Sequence, residues 1–118
     1  MLPAMVDNSL LVFFRSDCLA DAEPDLGARL MQLFLEQLLA SGRVPGKMIF
    51  TGTGILLTSE GSLVLELLQR FAAEGSDLAT CLTCLEYYKR RDKLRVGREG
   101  NMKQTVQAML EAGKVLTP

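Results

Sequence analysis

The stretch LLVFFRSDCLADAEPDLGARLMQLFLEQLLASGRVPGKMIF, residues 10–50, decides the fold. Leu10–Phe14 is a continuous apolar run, the composition of a strand buried on both faces of a parallel sheet. A polar loop from Ser16 to Pro24 follows. From Asp25 to about Ala40 the apolar positions Leu26, Leu30, Leu33, Phe34 and Leu38 step by three or four, which predicts a helix with one face inward. Pro24 suits its start, and Ser41-Gly42 with Pro45 ends it. Lys47–Thr51, around Met48-Ile49-Phe50, predicts a second strand. Strand, helix and strand in this order form one right-handed crossover unit.

The alternation continues. Gly52-Thr53-Gly54 makes a loop, and Ser62 is placed to cap a helix carrying Leu63, Leu67, Leu68 and Phe71 inward and stopping at Gly75. Asp77–Cys81 predicts a third strand, Leu82 to about Arg90 a short helix, and Leu94–Val96 a fourth strand. Gly100-Asn101 opens a last helix whose Met102, Val106, Met109 and Leu110 read as core. Lys114–Thr117 is a terminal strand. The pattern predicts a three-layer α/β/α sandwich around a five-stranded parallel sheet, with residues 1–9 as a tail and 10–118 as a single domain.

The chain has 118 residues and no histidine. That zero removes Ser-His-Asp and Cys-His catalysis and His-rich metal cages from a single subunit. The net charge of −1 points to neither nucleic acid nor an anionic membrane as a direct partner. It conceals an asymmetry: residues 1–88 carry −6 and residues 89–118 carry +5. Lys89, Arg90, Arg91, Lys93, Arg95 and Arg98 fall within ten positions. Such a run is either a solvated loop balancing an acidic body or an anion-facing patch. Three cysteines, no basic leader and no span-length apolar run place the chain in a reducing cytoplasm.

Ligands of open α/β sheets bind beyond the carboxyl ends of the strands. All three cysteines fall there: Cys18 after the first strand, Cys81 and Cys84 after the third. Cys81-Leu82-Thr83-Cys84 lies at a strand-to-helix junction, where unpaired backbone N–H groups favour thiolate over thiol. A stabilised thiolate can carry sulfur as a persulfide, and the second thiol can resolve it. Either cysteine can be the nucleophile: Cys84 if the helix begins near Thr83, Cys81 if the strand ends early. The competing readings are two packed thiols, or a zinc site for which only Cys18 and carboxylates remain as further ligands. Gly52-Thr53-Gly54 lacks the third glycine of a dinucleotide fingerprint and the lysine of a P-loop, so it reads as a tight loop without a ligand. No cofactor and no metal follow from these motifs.

The string CLTCLEYYKRRDKLRVGREGNMKQTVQAMLEAGKVLTP, residues 81–118, resembles the C-terminal domain of YedF-like selenium-metabolism proteins, within the DsrE/DsrF-like superfamily. Leu26-Gly27 with Leu30-Met31 and Phe34-Leu35 is similar to that family's first helix. Gly54-Ile55 with Glu60-Gly61-Ser62 is similar to its middle loop. The resemblance implies a five-stranded parallel domain that handles sulfur or selenium as a cysteine persulfide, a carrier more than a turnover enzyme, working in oligomers. It places the active thiol at Cys81 or Cys84. YedF-like proteins carry an N-terminal TusA-like carrier domain; here only a few residues precede the first strand, so a TusA-like donor or acceptor is expected as a separate polypeptide. Cys18 stands where the family pattern has a small residue, and it joins the candidate thiols. Thr83, Arg90, Arg91, Lys93 and Asn101 are the candidate anion- or partner-binding groups. No helical face can turn Leu85, Tyr87 and Tyr88 all inward, which makes Tyr87 and Tyr88 candidates for a homo-oligomer contact. The rival reading is a non-catalytic small-ligand or protein-binding module of an oligomeric assembly.

Overall fold

The structure, a computed structural model, describes residues 4–118. Five strands form one all-parallel sheet: β1 (Met5–Phe14), β2 (Arg43–Phe50), β3 (Asp77–Cys81), β4 (Arg98–Gly100) and β5 (Lys114–Leu116), in the order β4-β3-β2-β1-β5. The helices are α1 (Pro24–Ala40), α2 (Leu65–Ala73), α3 (Leu82–Tyr87) and α4 (Met102–Glu111), with a 3₁₀ segment at Gly52–Leu57. This is the expected layered α/β architecture. β1 begins five residues before the expected Leu10, because Met5–Asp7 pair with Arg43–Pro45 ahead of an irregularity between Asp7 and Leu11.

The two sheet faces are unequal. Val12, Phe14, Met48, Phe50 and Leu78 meet Met31 and Leu35 of α1 and Leu68 and Phe71 of α2 in the main core. On the other face a smaller cluster of Leu11, Ile49 and Ala108 lies under α4, with Phe13, Ala112 and Val115 at its margin. Toward β4 that face is polar, and the Arg98 guanidinium pairs with Asp77 at 3.0 Å.

Three expected faces are corrected. The buried line of α1 is Gly27, Met31 and Leu35, one position round from the expected stripe, with Leu26 and Leu33 exposed. A Cβ on Gly27 would lie 2.6 Å from Cys18 Cβ, so the β1–α1 loop packs directly on the helix backbone there. Leu63 is 88% exposed because α2 begins only at Leu65, and the Ser62 hydroxyl accepts the Val64 N–H inside the preceding turn. On α4 the small Thr105 and Ala108 face the sheet, while Met102, Val106, Met109 and Leu110 face solvent. The narrow gap above Leu11 and Ile49 admits only small side chains.

The expected fourth strand is displaced. Leu94 makes only a single antiparallel bridge to Ser59, and the ladder to β3 is made by Arg98–Gly100.

Carboxylates at the sheet margins tie strands together. Ser9 hydroxyl and N–H donate to Asp7, and Arg43 binds it at 2.6 Å, holding this carboxyl at about 2. Arg98 lowers Asp77, and Lys93 with Arg95 lowers Glu60. These folded-state values lie below the unfolded ones, so their stabilisation is complete above about pH 4 and is lost as pH falls toward 2. A thermal midpoint that declines across this window, with a shallower decline in Asp7→Asn, is the expected result. An equal decline in the variant would remove Asp7 from the account.

Candidate functional site

The carboxyl ends of β1, β2 and β3 lie side by side, so their loops form one edge. Cys81 ends β3 and occupies the residue before α3, and it is buried. Cys84 stands one turn into α3, half-buried. The two thiols are neighbours, as the spacing implied, and all three cysteines are free.

A third group reaches them from the adjacent strand. The Gly52 N–H donates to Cys84 Sγ at 3.2 Å. Gly52 has φ +55°, and a Cβ there would sit 3.0 Å from the Arg15 carbonyl oxygen, so the turn needs glycine to press against the end of β1. The Thr51 N–H donates to the Phe14 carbonyl at 2.9 Å and fixes the turn from the other side. The Gly-rich loop is thus a close backbone contact, and its free N–H serves a sulfur atom.

The expected thiolate is corrected. Burial pushes the Cys84 thiol above its ordinary value, the neighbouring Cys81 adds to this, and the Gly52 N–H pulls it only partly back. Desolvation therefore outweighs backbone hydrogen bonding. Cys18 is also raised, first by burial and then by Asp17. Its Sγ lies 3.7 Å from the Pro24 carbonyl, and it lines a separate cleft of about 500 Å³ with Arg15, Leu19 and Thr117. Neither Cys81 nor Cys84 borders that cleft. Among the described residues no three His, Cys, Asp or Glu side chains cluster as metal ligands.

The basic run is largely consumed within the fold. Arg90 Nε donates to Ser59 Oγ at 3.2 Å, and Nη2 donates to the Glu60 carbonyl. Arg91 forks onto Glu99, Lys93 lies 3.3 Å and Arg95 3.6 Å from Glu60, and Arg98 holds Asp77. The 91–96 segment is strapped onto 58–60 by Glu60 N–H to the Lys93 carbonyl and Arg95 N–H to the Thr58 carbonyl. The Asn101 side chain caps α4 through the Gln104 N–H at 2.9 Å. Thr83 is exposed on α3. Tyr87 is 79% exposed and stands edge-to-face with the exposed Tyr88, ring centroids 5.0 Å apart.

Sequence reasoning missed two features. One is the buried Thr58–Thr80 hydroxyl pair at 2.8 Å, which ties the β2–α2 connection to β3. The other is a cleft of about 630 Å³ between α1 and residues 56–64, which no cysteine borders. A signal for the second was present: Asp25, Ala28, Arg29 and Gln32 form a polar face of α1 at the carboxyl edge.

The all-parallel β4-β3-β2-β1-β5 sheet with its flanking helices defines an open α/β domain whose strand-end loops carry the cysteines. No family model matches the chain, and no curated protein does. Among solved structures, the ychN protein from E. coli superposes with a TM-score of 0.66 at 16% identity, covering 92% of this chain and 97% of that one. The MTH1491 protein of unknown function from Methanobacterium thermoautotrophicum superposes with a TM-score of 0.70 at 14% identity, covering 95% and 100%. At these identities the likeness shows the fold.

No helix of the described residues is long and apolar enough to cross a membrane.

Proposed function

We propose that the chain carries sulfur, or selenium, as a persulfide on the Cys81/Cys84 pair, in keeping with its YedF-like resemblance. The observation that carries this reading is the Gly52 N–H directed at Cys84 Sγ beside a second thiol. Cys84 is the acceptor, being the less buried of the two. Its thiolate attacks the outer sulfur of a donor persulfide. A new S–S bond forms on Cys84, the donor's S–S bond breaks, and the donor leaves as a thiolate with the electron pair. An acceptor thiolate discharges Cys84 in the same way. Without an acceptor, Cys81 attacks Cys84 Sγ, a Cys81–Cys84 disulfide forms, and hydrogen sulfide leaves. The donor or acceptor this chemistry requires is a persulfide- or thiol-bearing carrier of the TusA-like kind.

Loading with a cysteine desulfurase and cysteine should add one sulfur mass and cyanolysable sulfur to the wild type. Equal labelling of the Cys81→Ser/Cys84→Ser double variant would falsify the assignment. The raised Cys84 thiol favours a second reading, a non-catalytic binding module in an oligomer, for which neither protein loads.

Self-association belongs to both readings. The Tyr87–Tyr88 pair and the bare face of α4 give it apolar contact area, since the neighbouring arginines are already paired. Light scattering at micromolar concentration should return a multiple of 13.0 kDa. A monomer mass that persists on concentration overturns it.

A further inference from the structure

We infer that Arg90 is a positioning residue for the Cys84 sulfur: by latching the end of α3 onto residues 59–60, it holds that sulfur on the Gly52 N–H. The inference deepens the persulfide reading and rests on it for its chemical consequence. α3 ends at Tyr87, and the chain then turns back through Lys89, whose φ of +56° is uncommon for a residue with a side chain. The Lys89 N–H donates to the Glu86 carbonyl at 3.1 Å and the Arg90 N–H to the Leu85 carbonyl at 2.8 Å, the paired bonds of a Schellman end. Leu85 is fully buried, so the turn starts from a fixed point and returns Arg90 toward the β2–α2 connection.

There the half-buried Arg90 side chain meets two neutral acceptors. Nε donates to Ser59 Oγ at 3.2 Å, and Nη2 donates to the Glu60 carbonyl. The Ser59 hydroxyl is itself buried and spends its proton on the Ile55 carbonyl at 2.7 Å, which leaves its lone pairs for Arg90. Ile55 belongs to the 3₁₀ segment that begins at Gly52. Hydrogen bonds thus join α3 and its end to this connection at two places: Cys84 to Gly52, and Arg90 to Ser59 and Glu60. The first is a weak bond to sulfur, and the second is a two-pronged, charge-assisted grip. The strong grip sets the geometry of the weak bond. This role needs the planar fork of an arginine, which lysine lacks. It does not need the charge, since burial, Cys81 and the Gly52 N–H are what act on the Cys84 thiol. The other bonds of the strap, from the Glu60 N–H to the Lys93 carbonyl and from the Arg95 N–H to the Thr58 carbonyl, hold residues 93–95 and not α3.

The test uses the full chain and reads Cys84 alone, by mass spectrometry of its peptide after reaction with iodoacetamide. Arg90→Ala should displace the alkylation profile to higher pH and slow the reaction about threefold at neutral pH, the scale of one net hydrogen bond lost from the thiolate. The sign discriminates. Loosening α3 without this role would expose the sulfur, relieve the burial that holds its thiol up, and speed the reaction. Arg90→Lys, which keeps the charge, should behave like Arg90→Ala. Arg90→Ala should add nothing to Gly52→Ala, because both act through one bond. Arg98→Ala, which frees Asp77 at the far end of β3, should leave the profile in place. By amide exchange, Gly52 should lose protection in Arg90→Ala while Met48–Phe50 keep theirs. An unchanged or accelerated Cys84, full rescue by lysine, or additivity with Gly52→Ala would each overturn the role. No sulfur donor enters these measurements, so their failure removes the latch, whereas failure of the loading assay removes the persulfide reading.

Discussion

Phe14→Ala should lower the unfolding free energy by about 3–5 kcal/mol, a large share of the roughly 5–15 kcal/mol that holds a domain of this size together. Phe14 is fully buried at the carboxyl end of β1. Its ring stacks on Phe50 at 4.7 Å with an interplanar angle of 4° and meets Phe34 edge-on at 6.4 Å. Truncation removes both ring contacts and leaves a cavity walled by β-sheet and α1, which cannot close without shifting strands whose register is fixed by their ladders. The damage extends to the site. The Phe14 carbonyl accepts the Thr51 N–H just before Gly52, so loosening the end of β1 frees the turn that reaches Cys84. Urea denaturation of the variant beside Tyr87→Ala provides the comparison. The surface change should stay within about 0.5 kcal/mol. A loss below about 1 kcal/mol for Phe14→Ala would mean that the aromatic stack is not the keystone of the main core.

The strands were legible because a central parallel strand is apolar on both faces, and Leu10–Phe14, Met48–Phe50 and Leu78–Cys81 have that composition. Helix faces were less so. Hydrophobic periodicity weights large side chains, but the residues pressed closest to the sheet are small: Gly27 on α1, Thr105 and Ala108 on α4. Leucines and methionines beside them were therefore counted as core and lie outside it. The Leu94–Val96 strand failed for a related reason. Its apolar residues serve a strap over residues 58–60, and the ladder position went to Arg98–Gly100, whose backbone rather than side chains qualifies it.

The same division runs through the site. The two cysteines at a strand-to-helix junction are a local pattern and could be read directly. The Gly52 N–H on Cys84 joins residues 32 apart in sequence and exists only because β2 and β3 are neighbours. The fate of the basic run is equally non-local: Glu60, Asp77 and Glu99 pair with Arg91, Lys93, Arg95 and Arg98, Arg90 is held by Ser59 and the Glu60 carbonyl, and these placements follow from the fold. Much of the run thereby acts as a structural strap.

Cys84 should be a slow nucleophile in the resting protein and the only residue that accepts sulfur. Burial keeps its thiol protonated at neutral pH, and the Gly52 hydrogen bond compensates only in part. Its alkylation rate with iodoacetamide should therefore keep rising with pH beyond the point where that of a free cysteine levels off. Cys81→Ala should bring that titration down, because Cys81 is one of the causes that raise it. Gly52→Ala should move it up: the added Cβ meets the Arg15 carbonyl at 3.0 Å at a φ of +55° that alanine rarely adopts, so the turn must change and the N–H loses its aim at the sulfur. The two substitutions thus move one titration in opposite directions, which mere loosening of the fold would not do. In the loading assay Cys84→Ser should lose at least about 90% of the bound sulfur, since no other thiol has the backbone donor. Cys81→Ser should still load but release no sulfide, lacking the resolving thiol, and its persulfide should outlast that of the wild type. Full loading of Cys84→Ser would transfer the acceptor role to Cys81, and the Gly52 hydrogen bond would then be only a packing contact.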